Sequence, residues 1–70
     1  MDLKIFLERL RQVHVVDWNA LEIYSDLAKK VDDPELSNTF KRLAQDEAKH
    51  VRLENEVMLM AILGTDAKQP

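Results

Sequence analysis

Four ionisable side chains sit where an apolar residue is due: Asp17 on one helical stripe, and Glu47, His50 and Glu54 on a second. His14 lies at the edge of the first stripe. Burying carboxylates is costly unless they are paired or bind a metal. A stripe otherwise made of Leu, Val, Phe and Ala does not acquire three acids by default. Glu47-Ala48-Lys49-His50 is a Glu-x-x-His pair, and this spacing puts both side chains on one helix face. Carboxylate oxygens with imidazole nitrogens suit iron, manganese or zinc, and are poor ligands for copper(I) or an iron–sulfur cluster.

Each of these residues also has a plainer reading. Glu47 and His50 also read as a plain surface pair, which their seam position disfavours, and Asp17 as a buried polar group that fixes helix register. Glu22 is the rival acid on the first helix but lies far off the stripe. Glu54 reads as an extra ligand, an ion-entry carboxylate or a partner of Arg52. His14 reads as a ligand, as a hydrogen-bond donor behind the ligands or, more commonly for such a position, as an edge histidine with an ordinary hydrogen bond. Tyr24 is a core residue whose hydroxyl is placed to bond a ligand carboxylate. Trp18 and Phe40 read as packing residues, as do Met58 and Met60 in preference to haem ligands.

Helices must position these groups. The one strong internal punctuation is Val31-Asp32-Asp33-Pro34-Glu35, where Asp33 suits an N-cap and Pro34 the first helical position. Gly64 suits the C′ position of a second helix. The pattern predicts an all-α chain: helix 1 over about 2–31, helix 2 over about 34–63, and a frayed tail over 65–70. The whole chain is then a single antiparallel two-helix hairpin.

On helix 1 the stripe runs Leu3, Phe6, Leu10, Val13, Asp17, Ala20, Tyr24, Leu27 and Val31, widened by Leu7, His14, Leu21 and Ala28. On helix 2 it runs Leu36, Phe40, Leu43, Glu47, His50, Glu54, Val57 and Ala61, widened by Ala44, Val51 and Met58. Lys29 and Lys30 complement the C-terminal dipole of helix 1.

A hairpin turning at Asp32-Asp33 places Asp17 level with Glu47, and His14 level with His50. Two rods of ~45 Å, at ~1.5 Å per residue, touch along one seam and enclose no core. The economical solution is a homodimer of hairpins forming a four-helix bundle. Across a central two-fold axis it would gather two Asp17, two Glu47 and two His50, enough to hold two divalent ions per dimer. A further row, Ile5, Val16 and Ile23, reads either as scattered surface apolarity or as a second interface building a larger assembly.

Composition narrows the classes. The 70 residues are 46% hydrophobic and 33% charged with net charge −3, so no broad basic surface for nucleic acid is expected. No apolar run reaches the ~18 residues of a membrane span. The chain has no cysteine, which excludes thiolate metal sites and fits a cytoplasmic location. A single glycine and two prolines leave too few turns for an all-β fold.

From Val13 to Ile62 the chain resembles the ferritin-like, rubrerythrin-type di-iron superfamily, in a half-length form similar to encapsulated ferritins. The carriers are Asp17 seven residues before Tyr24, the segment Tyr24-Ser25-Asp26-Leu27-Ala28, the turn Asp33-Pro34-Glu35-Leu36, and Phe40 through Glu47-Ala48-Lys49-His50. The resemblance implies iron as the metal, ligands at Asp17, Glu47 and His50, Tyr24 close by, and a site shared between two subunits. It implies ferroxidase- or peroxidase-type oxidoreductase chemistry, with Fe(II) oxidised by dioxygen or peroxide. Asp17 stands where that family usually has Glu. The glycine-containing peptide that docks encapsulated ferritins in encapsulin shells is not recognisable in residues 65–70, so a shell partner rests on the resemblance alone. The alternatives to this reading are a non-catalytic helical oligomerisation module and a structural metal site.

Overall fold

A computed structural model describes residues 2–64, and the predicted tail over 65–70 lies outside the described residues. The described chain is all-helical: α1 spans Leu3–Lys30 and α2 spans Pro34–Ile62. They run antiparallel around a three-residue connection, 31–33.

Local chemistry sets each boundary. The Asp2 carboxylate accepts from Lys4 N–H at 2.9 Å and starts α1. Val31 leaves the helix in an extended conformation while its N–H still bonds Leu27 O at 3.1 Å. The Asp33 carboxylate accepts from Glu35 N–H at 3.1 Å and starts α2, with Pro34 supplying a fixed φ and no orphan N–H. Gly64, at φ 67°, follows the end of α2, where a residue with a Cβ would be strained. The turn is also tied across the helices: Ser37 Oγ donates to Ala28 O at 2.6 Å.

The hairpin is a plate one helix thick, with principal extents of 53 × 22 × 12 Å. Among the described residues only Ala28, Ala44 and Val51 are buried apolar side chains. These small residues line the close approach of the two helices. The larger apolar residues lie at the margins: Val13 is 51% exposed, Leu36 44%, Leu43 37% and Val57 40%.

The stripe on α2 therefore divides. Ala44 and Val51 face α1, whereas Leu36, Leu43, His50 and Val57, spaced seven residues apart, form an exposed row beside the seam. On α1 the row Ile5, Val16 and Ile23 is also exposed, at 56%, 64% and 56%. Among the described residues no helix is long and apolar enough to cross a membrane.

Candidate metal centre

Asp17 comes from the middle of α1, and Glu47 and His50 from successive turns of α2. One ligand atom from each lies within 4.8 Å of the others. Three donors that share an ion at ~2.0–2.2 Å stand about 3–4 Å apart, so the spacing of this trio is near, and somewhat wider than, that of a set of metal ligands. Asp17 and Glu47 are half-buried and His50 is exposed. The level placement of Asp17 with Glu47 expected from the turn is the one found.

Glu47 Oε1 and His50 Nδ1 are 3.2 Å apart, a contact along one helix face. It leaves Nε2 as the ring's other nitrogen. The hydrogen bond to Glu47 is the main reason the His50 pKa is raised above 6.5; burial opposes it, and the charges of Glu47, Asp17 and Glu54 add to the rise.

Of the other predicted site residues, His14 and Glu54 stand outside this trio and pair with each other. His14 Nδ1 lies 3.0 Å from Glu54 Oε1, with side chains only 16% and 13% exposed. His14 therefore meets Glu54, one turn beyond the His50 that the turn arithmetic placed level with it. The Glu54 pKa is raised above its ordinary 4.5, first by burial and next by a hydrogen bond with Asp17, while His14 pulls the other way. Tyr24 is half-buried and stacked on Phe40, ring centres 6.3 Å apart at 28°, two turns along α1 from Asp17.

Trp18 is the residue that pattern reading misplaced. It is 44% exposed, and its Nε1 donates to His14 Nε2 at 3.1 Å. The rings meet edge to face, centres 6.4 Å apart. Its place four residues after His14 was the available signal, because i, i+4 side chains meet on a helix.

No protein-family model, curated protein or solved structure matches this chain. The site is argued from its own geometry.

The two raised pKa values give a definite pH response of the metal-free protein. For His50 the folded state holds its proton more tightly, so its contribution is complete below 6.5 and is lost as pH rises through the raised value. Glu54 also keeps its proton longer when folded, so stability falls as pH climbs above 4.5. Urea midpoints of the metal-free protein are expected to be higher at about pH 5.5 than at about pH 8. Bound metal is expected to reverse the slope, because ligands must be deprotonated to bind. A midpoint of the metal-free protein that rises across this range would contradict the assignment.

Proposed function

We propose that this chain is a metal-binding, ferritin-like protein whose site is built between two copies. The observation that supports it is the convergence of Asp17, Glu47 and His50 from two helices. The donor chemistry fits iron, with manganese or zinc as the other ions such oxygen and nitrogen ligands take.

In this reading a second hairpin covers the face that carries the trio. The row Leu36, Leu43 and Val57, with Val13 from α1, supplies the apolar contact around His50. A two-fold axis there makes an isologous interface. Each copy contributes one carboxylate from α1, and one carboxylate and one imidazole from α2. Four carboxylates in the pair offset the +4 charge of two divalent ions.

Asp17, Glu47 and His50 of each copy would hold the ions, the carboxylates supplying oxygen ligands and the imidazole a nitrogen ligand. Covering the face takes the His50 ring out of bulk water, which strengthens every charge interaction at the site. Ferrous ions, when bound, supply electrons to dioxygen or peroxide. Two of them deliver the pair that reduces dioxygen to hydrogen peroxide, or peroxide to water, with protons taken from solvent. A cytoplasmic location belongs to this reading, since a ferrous substrate persists in a reducing compartment.

The test is anaerobic loading with Fe(II) followed by air. The expected result is rapid growth of ferric absorbance in the wild type, beyond the rate of free Fe(II) in the same buffer. Stoichiometric zinc uptake with no acceleration of iron oxidation would instead favour a structural metal site. No stoichiometric uptake of any of the three metals would favour a metal-free oligomerisation module.

A further inference from the structure

Both ring nitrogens of His14 are already engaged. Trp18 Nε1 lies 3.1 Å from His14 Nε2, and an indole N–H only donates. His14 Nε2 must therefore present its lone pair to Trp18. A neutral imidazole then carries its proton on Nδ1, and Nδ1 lies 3.0 Å from Glu54 Oε1, where it donates. The two partners select one of the two tautomers, and no lone pair of the ring is left for a cation.

We propose that Trp18 and His14 are positioning residues, a donor chain that holds the Glu54 carboxyl beside Asp17 as a further oxygen ligand for the ion at Asp17, Glu47 and His50. This rests on the metal-binding reading above. Glu54 lies one turn beyond His50 on α2, and the His14 it pairs with lies one turn before Asp17 on α1. The His14 bond occupies Oε1 and leaves Oε2 for Asp17 or an ion. A free glutamate spreads over many rotamers, and fixing it costs side-chain entropy at the moment of binding. The His14–Glu54 contact is sheltered, with side chains 16% and 13% exposed, and so it removes that cost beforehand. Trp18 in turn fixes the ring that does the holding. Histidines that ligate metals are commonly oriented by carboxylates; here the roles are exchanged.

Two measurements test this. The first is the His14 tautomer in metal-free, nitrogen-15-labelled wild type at about pH 8, above the ordinary histidine range. The expected spectrum has a protonated Nδ1 and an unprotonated Nε2; a proton on Nε2 overturns the chain. The second is Mn(II) affinity in a variant series, with circular dichroism confirming helix content. Glu54→Ala and His14→Ala are expected to lose about 10- to 100-fold, the usual scale for groups that support metal ligands. Trp18→Phe is expected to mix the tautomers and to lose less, about 10-fold. His14→Gln retains an N–H for Glu54 and is expected to recover most of the affinity lost in His14→Ala. Equal loss in His14→Gln and His14→Ala would make His14 itself a ligand and overturn the proposal, as would wild-type affinity in Glu54→Ala. A wild type that takes up no Mn(II), Fe(II) or Zn(II) overturns the metal reading and the ligand role of Glu54 together, while the tautomer spectrum alone then decides the Trp18–His14–Glu54 chain.

Discussion

Replacing Glu47 and His50 together by alanine is expected to remove metal binding while leaving the helices intact. Wild-type protein purified and dialysed against Fe(II) or Mn(II) should retain about one ion per chain, two per pair. The double variant should bind more than about 100-fold more weakly, since even the outer partners of metal ligands are worth 10- to 100-fold. Its helix content should not fall, because Glu47 is only half-buried and His50 is exposed. At about pH 8, above the range in which protonated His50 contributes, the metal-free variant should be about as stable as the wild type. Elemental analysis and a urea titration read both quantities. Equal metal in the two proteins would remove Glu47 and His50 from the site.

Substituting lysine at Leu43 and Val57 is expected to have the second large effect, on assembly. Among the described residues the isolated hairpin fully buries only Ala28, Ala44 and Val51, with the larger seam side chains half-buried, while each ordered residue costs about 1–2 kcal/mol of backbone entropy. Three small buried side chains do not offset that cost for a chain of this length. In the proposed pairing the further apolar burial comes from a second copy, and the row Leu36, Leu43 and Val57 adjoins the candidate ligands. Wild-type thermal midpoints should therefore rise with protein concentration, as they do when folding and association are linked. Leu43→Lys/Val57→Lys puts like charges on both sides of the axis and should leave a chain that is largely unfolded at micromolar concentration. Circular dichroism over a range of concentrations reads this. A concentration-independent midpoint, shared by wild type and variant, would show that the hairpin is stable alone.

The helices and their ends were legible because each signal is local. Asp33-Pro34 caps and starts α2, and Gly64 alone takes the positive φ after its end. The meeting of Asp17 with Glu47 was legible too, because a short turn leaves little freedom in the register of two straight rods. The division of the α2 stripe was not. Periodicity locates the centre of a wide apolar arc, and both Val51 and Val57 lie within it. Which half meets α1 depends on side-chain size, and the small Ala28 and Ala44 bring the backbones together on one side only. The partner of His14 was missed for a related reason. Turn arithmetic compares Cα heights, whereas a glutamate reaches across about one helical turn, so Glu54 rather than His50 arrives at the ring. Trp18 reads from the sequence as a packing residue, yet its single N–H donor meets His14.

Native mass spectrometry of the metal-loaded wild type tests the central claim most directly. The account predicts even-numbered assemblies of this chain carrying two ions per pair, with the ions lost on chelation or in Glu47→Ala/His50→Ala while the pairing through the apolar row remains. A single hairpin that holds an ion by itself, or pairs that keep their ions in Glu47→Ala/His50→Ala, would contradict it.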